Sequence, residues 1–272
     1  MLGEDYDHGH KFSMAKLSTL SVIIISKNES VNIEACLDSV AFADEVIVLD
    51  SGSSDETVPL ARAKGATVYT VNDWPGFGPQ KNRALAMANC EWVLSIDADE
   101  RVSSDLAKEI QNVISEANRE AFEIPRLTQF CGEWIHHCGW TPDHVLRLFK
   151  RRVAKFSDDK VHEKVLIASD ATCRRLKSPL LHYSYPEPSH YWRKLELYSQ
   201  AWAEQRFARG QKTSMWRAGL AGVVAFVRSY FFRLGFLDGA MGFAVCTMQA
   251  QAAFGKYFAL YCLNKKNDPP FI

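Results

Sequence analysis

Strand and helix signals alternate through the first third of this 272-residue chain, and that alternation leaves few architectures open to it. Leu20 to Ser26 (LSVIIIS) is a short, uncharged, β-branched run, the pattern of a strand buried on both faces. Ile33, Cys36, Leu37 and Val40 follow at i, i+3, i+4 and i+7, one face of a helix. Glu45 to Leu49 (EVIVL) reads as a second strand. Ser54 can cap the helix after it, with Asp55 and Glu56 near the positive end. Thr67 to Val71 is a third strand, Pro79 to Ala88 a helix, Trp92 to Ile96 (WVLSI) a fourth strand, and Asp105 to Ala117 a further helix. Such an order builds an α/β fold on a parallel sheet with right-handed crossovers.

From Phe122 to His182 the pattern breaks into short apolar pieces, aromatics and Gly/Pro punctuation, a mixed region that completes the sheet and supplies loops. Tyr185-Pro186-Glu187-Pro188 marks a boundary between a domain over 17–185 and a helical region over 186–272, with Tyr191 to Gly210 its first helix. Residues 1–16 are polar and are expected to be a disordered lead-in. From Trp216 the chain turns aromatic and apolar. Its longest uncharged piece, Gly239 to Gly255, is shorter than the ~20 residues a spanning helix needs. Two readings stay open there: buried helices packed on the first domain, or helices lying in a membrane interface with aromatics on one side and Arg228 and Arg233 on the other.

Net charge is zero, so global electrostatics select no partner, and no nucleic acid is expected. Two basic runs stand out, Arg147, Lys150, Arg151, Arg152 and Lys155, then Arg174, Arg175 and Lys177. They read either as solvated faces or as contacts to an anionic substrate or membrane surface. Seven irregularly spaced cysteines do not form a disulfide framework, and no signal-peptide order is seen. Both facts fit a reducing cytoplasmic location.

Acids gather where an open parallel sheet places ligands, at the carboxyl ends of its strands. Glu29 follows the first strand, Asp50 ends the second, and Asp97 and Asp99 end the fourth. A diphosphate leaving group would be repelled by bare carboxylates, and a hard divalent cation between them reverses the sign. Mg²⁺ or Mn²⁺, held by Asp97 and Asp99, is the expected cofactor. Asp50 can accept a hydrogen bond from a uracil N3–H. Rival nucleotide folds lack their signatures: no Gly-x-Gly-x-x-Gly follows the first strand, and no Gly-x-x-x-x-Gly-Lys-Ser/Thr occurs.

The pieces LSVIIISKNES, EVIVLDSGSSDET and GFGPQKNRALAMANCEWVLSIDADE together resemble the family 2 glycosyltransferases. The resemblance implies the GT-A fold, nucleotide-diphospho-sugar donors and inversion at the anomeric carbon, with a helical, aromatic-rich carboxyl-terminal extension here. WTPDHVLRLFKRR, VHEKV, LLHYSY and FFRLGFLDGAMGF look like a narrower branch, the lipopolysaccharide core β-1,4-glucosyltransferases, and the likeness runs from Leu20 to the carboxyl end. It implies a UDP-sugar donor, a lipopolysaccharide inner-core heptose as acceptor, and peripheral contact with the cytoplasmic face of the inner membrane.

Carried over, Asp97 and Asp99 match the metal and diphosphate motif, Asp50 the uracil-binding acid and Glu29 the donor-site acid. Lys81 and Arg83 match a region facing the donor. Many relatives have two consecutive acids where this chain has Asp50-Ser51, which places base recognition on Asp50 alone. Inversion needs a base for the acceptor hydroxyl, expected at Glu163 with Asp143 as the second candidate.

His182 is either a third metal ligand or a hydrogen-bonded core residue. Cys131, His136, His137 and Cys138 match no common zinc spacing and read better as an acceptor-binding loop, where Trp134 and Trp140 stack on sugar faces or fill a core. Enzymes acting on another lipid-linked or protein acceptor stay open as alternatives, as does a non-catalytic nucleotide-sugar-binding module.

Overall fold

A computed structural model describes residues 18–116, 119–158, 164–169 and 171–267. The first expected strands form as β1 (Leu20–Ser26), β2 (Glu45–Asp50), β3 (Thr67–Thr70) and β4 (Trp92–Asp97). Helices α1 (Ile33–Ser39), α2 (Thr57–Ala63) and α3 (Phe77–Met87) connect them. After β4 come β5 (Glu100–Val102), α4 (Ser104–Glu116), β6 (Ala121–Phe130), β7 (Glu133–Ile135) and β8 (Asp143–Lys150). Short β9 (Ala154–Phe156), β10 (Val165–Ile167) and β11 (Cys173–Arg175) lead to β12 (Leu180–Tyr185).

The main sheet runs β3-β2-β1-β4-β8-β6-β12-β5. Its first four strands are parallel, with Ile24 paired to both Val48 and Ile96. The strand β1 alternates between two cores because successive side chains point to opposite faces. Val22 and Ile24 join Ile33 and Leu37 of α1 and Leu106, Ile110 and Ile114 of α4. Ile23 faces the other way, with Ile47, Leu49, and Ala84 and Leu85 of α3.

The second half of the sheet is mixed, and its register builds the site. Antiparallel β8 follows β4 as far as the pair Leu94–Leu148. Between β6 and β8, Arg126 lies opposite Asp143. On β12, His182 is paired with Thr128 of β6 and with Glu100 of β5.

Past β12 the chain is helical: α5 (Pro188–Ala208), α6 (Met215–Val227), a π turn at Arg228–Phe232, a 3₁₀ turn at Gly235–Asp238, and α7 (Gly239–Asn267). Helices α6 and α7 pack closely because Gly222 leaves room for the Ala250 carbonyl, 3.2 Å from where a Cβ would stand. Among the described residues no single helix is long and apolar enough to cross a membrane, and the α6–α7 pair is bent by 74°.

A third core of Phe130, Ile135, Cys138, Val245, Cys246 and Met248 ties the β6–β8 segment to α7. The carboxyl-terminal helices are therefore packed on the sheet at one end, as one of the two sequence readings expected. They also leave Trp216, Val223, Phe231, Phe232 and Leu237 largely exposed.

Candidate functional site

Two clefts meet at the carboxyl edge of the parallel strands. One, of about 650 Å³, is walled by Ser26, Lys27, Glu29, Asp97, Asp99 and His182, with Trp74, Phe77, Arg126 and Lys194 completing it. The other, of about 560 Å³, shares Phe77, Asp97 and Arg126 and adds Lys81, His144, Arg147 and Phe156. Asp97 thus lines both clefts, together with Phe77 and Arg126.

Asp97 is bracketed by cations. Lys81 Nζ lies 2.9 Å from Oδ1, and Arg147 holds Oδ2. Burial alone would raise this carboxyl, but Arg147 and Lys81 outweigh it and hold it well below the usual carboxylate range. Arg147 donates to Glu100 as well, at 2.8 Å, and the Asp97 amide donates to the second Glu100 oxygen at 2.9 Å. This buried ladder fixes the turn that presents Asp99.

Asp99 Oδ2 lies 3.3 Å from His182 Nε2, and the other ring nitrogen faces Thr128 Oγ1 at 3.4 Å. With Nε2–H donated to Asp99, Nδ1 is left to accept from the Thr128 hydroxyl; a cation at Nε2 would need the opposite tautomer, with Nδ1–H donated to Thr128. Burial would raise the Asp99 carboxyl, and the hydrogen bond and charge of His182 lower it below its ordinary value. Glu29, on the same cleft, is pushed up by burial and by the negative charge of Asp99, Asp55 and Asp97, against a hydrogen bond from Asn32.

Among the described residues no three acids, histidines or cysteines converge as a preformed metal cage. The donor set of Asp99 and His182 still fits a divalent cation at a nucleotide site. Such cations are held by one or two side chains, with phosphate oxygens and water filling the shell. Asp97, expected as a second ligand, is instead committed to Lys81 and Arg147.

Several other expected residues are placed differently. Asp50 has no exposure, and it turns inward: Oδ1 accepts from the amides of Gly52 at 3.0 Å and Ser53 at 2.8 Å, and Oδ2 from the Ser26 and Ser53 hydroxyls. It organises the ends of β1 and β2 and walls neither cleft. Arg83 pairs with Asp73 at 2.8 Å and walls neither cleft, because two residues along α3 from Lys81 point to nearly opposite sides. Asp143 is paired with Arg126. Glu163 lies outside the described residues.

The basic run does not form one patch. Arg147 is in the buried ladder, Lys150 pairs with Glu91 at 3.3 Å, and Arg152 with Glu120 at 2.7 Å. Cys131, His136, His137 and Cys138 hold no metal geometry: Asp238 accepts from the His137 amide and contacts the Cys138 thiol. Sequence reading placed Arg147 only within a basic run, not in the site, and missed Arg126 and Glu100. A lone arginine inside the apolar run VLRLF was the available signal for the first.

The family model described as glycosyl transferase family 2 matches residues 21–164. An uncharacterised glycosyltransferase of Rickettsia prowazekii is 30% identical over 263 residues, 93% of this chain and 90% of that one. The lipopolysaccharide core biosynthesis glycosyltransferase LpsC of Rhizobium meliloti is 27% identical over 246 residues, 86% of this chain and 89% of that one. A solved structure of glucosyl-3-phosphoglycerate synthase from Mycobacterium tuberculosis, in complex with Mn²⁺, UDP and phosphoglyceric acid, is 29% identical. It covers 42% of this chain and 44% of that chain, with a TM-score of 0.35, an overlap too partial to bring any geometry across. The family match spans more than half of the chain, and the first relative aligns along nearly all of it. The chain belongs to glycosyl transferase family 2 and has the GT-A fold.

Proposed function

We propose that the protein is a metal-dependent, inverting hexosyltransferase that moves glucose from UDP-glucose to an inner-core heptose of lipopolysaccharide, working at the cytoplasmic face of the inner membrane. The observation that carries the chemistry is the Asp99–His182 pair, 3.3 Å apart on a cleft whose wall also holds Lys27, Arg126 and Lys194. The acceptor assignment is supported by the likeness to LpsC along most of both chains.

Asp99 and His182 would hold a divalent cation, which would supply Lewis-acid stabilisation to the departing diphosphate. The protein's own part is positioning and charge. Lys27, Arg126 and Lys194 stand where phosphate oxygens need counter-charge. Lys81 and Arg147 neutralise Asp97, so the shared wall does not repel an anionic donor. Glu163 takes the proton of the acceptor hydroxyl as that oxygen attacks the anomeric carbon from the face opposite the diphosphate. The exposed apolar side chains of α6 and the turns after it rest on the membrane, which brings a lipid-anchored acceptor to the donor site.

The deciding experiment is UDP release from UDP-glucose with core-truncated lipopolysaccharide, with and without Mn²⁺ or Mg²⁺, for wild type and Asp99→Ala. Release that needs metal and acceptor and is lost in the variant supports the assignment. Metal-dependent UDP binding without transfer to that acceptor removes the heptose. Neither binding nor turnover removes the enzyme itself.

A further inference from the structure

Beside the donor cleft lie two smaller cavities, linked to it and to each other by shared wall residues. The first, about 270 Å³, is reached through Arg126 and His182 and is walled by Trp140, Asp143, Ser184 and Tyr185. The second, about 390 Å³, shares Gly139 and Pro142 with it and opens among His137, Thr141, Arg233 and the apolar Phe232 and Leu234. Together they make a track from the Asp99–His182 pair to the most exposed apolar turn of the carboxyl-terminal region.

The polar groups along that track are built in. Asp238, almost fully buried, accepts from the His137 amide at 2.8 Å and faces the ring Nδ1 at 2.7 Å, which turns Nε2 outward. Arg233 lies flat on Gly139: a Cβ there would stand 2.1 Å from Nη1, and Gly139 has φ +79°. The Arg233 carbonyl accepts from the Cys138 amide at 3.0 Å, locking the turn to the loop. Trp140 lies beside Tyr185, ring centres 5.5 Å apart and planes tilted by 36°, and offers an indole wall to the first cavity.

We propose that these two cavities form the acceptor track. An anionic group of a membrane-anchored glycolipid sits at Arg233 and His137, its sugar lies against Trp140, and its lipid leaves past Phe232 and Leu234. This rests on the lipid-linked acceptor proposed above and adds where its charge and its lipid go. Arg233 beside an apolar mouth suits an amphiphile carrying phosphate or carboxylate, and neither free phosphate nor a neutral glycolipid satisfies both halves.

The test is calorimetric titration of the full chain with dodecyl phosphate below its micelle concentration, against inorganic phosphate and dodecyl maltoside, with and without UDP and Mn²⁺. Dodecyl phosphate should bind once per chain, with UDP already bound, and R233Q should weaken it about tenfold, the loss of one charge-assisted contact. R217Q, an exposed arginine on α6 that walls neither cavity, should leave it unchanged. Equal binding by R233Q and wild type overturns the proposal. So does an equal loss in R217Q, which marks general surface attraction, or inorganic phosphate binding as tightly, which marks a free-phosphate site. UDP binding is read in the same titrations, so failure of the donor site and failure of the track are separate results.

Discussion

Arg147 and Glu100 meet at 2.8 Å with almost no access to water, side-chain exposures of 8% and 0%. A pair this deep is sensitive to removal of one partner: without Arg147, Glu100 keeps its charge with only the longer Arg126 contact, at 3.5 Å, and the Asp97 amide. Arg147→Met should lower unfolding free energy by about 3 kcal/mol. Arg147→Met with Glu100→Leu should recover part of it. Urea unfolding of the single and double variants checks this. An additive double variant would mean that the two groups are not coupled.

Asp99 and His182 share the cleft, but His182 also leans on Thr128, so the three should separate by degree. Asp99→Ala should abolish metal-dependent UDP release. His182→Ala should raise the metal concentration for half-maximal activity, and Thr128→Val should do so by about tenfold through the freed ring. UDP release against Mn²⁺ concentration reads all three. An unchanged metal curve in His182→Ala would remove the histidine from the cation site.

The base is the remaining chemical question, and one of its two candidates, Asp143, has its carboxylate engaged. Asp143 is held by the Arg126 guanidinium, with Nε donating at 3.0 Å, and this occupies an oxygen a base would use. Glu163→Gln should therefore cut turnover by about 10²–10⁴ with UDP binding intact, and Asp143→Asn much less. The reverse order in single-turnover rates would transfer the role to Asp143.

The four parallel strands were legible because each carries its own local signal, an apolar β-branched run closed by polar residues. The acids at their ends followed from the same runs. What was not legible arises from register between distant segments. Arg126 meets Asp143 and His182 meets Thr128 only because β6, β8 and β12 pair as they do, and no local pattern predicts that pairing. Asp50 was placed at the correct strand end, yet the two serines and the glycine that turn it inward act through loop geometry. The opposed directions of Lys81 and Arg83, by contrast, were available from helical periodicity alone.

Asp55 ties the β2–α2 loop to the segment after β1. The Thr57 hydroxyl, chiefly, and the Ser30 and Thr57 amides hold its carboxyl well below the usual carboxylate range. A lowered folded value means the contribution to stability is complete above the unfolded value, about pH 4, and is lost as pH falls below it. Asp55→Asn should lower the melting temperature at pH 7, and the gap to wild type should begin to narrow below about pH 4 and keep narrowing as the pH falls further. Melting curves across that window test it; a gap independent of pH would assign the effect to shape and leave charge out.

Phe232 and Trp216 are 80% and 81% exposed, in a stretch that also exposes Val223, Phe231 and Leu237. Water is a poor solvent for so many exposed apolar side chains, and a bilayer interface is a better one. Each phenylalanine moved even half-way out of water contributes about 1 kcal/mol. Phe231→Ser with Phe232→Ser should therefore weaken co-sedimentation with phospholipid vesicles at least tenfold. UDP binding should be unaffected, since neither residue walls the donor cleft. Retained vesicle binding in the double variant would turn the same stretch toward a protein partner, and a change in oligomeric state between wild type and variant would then identify that partner as a second copy.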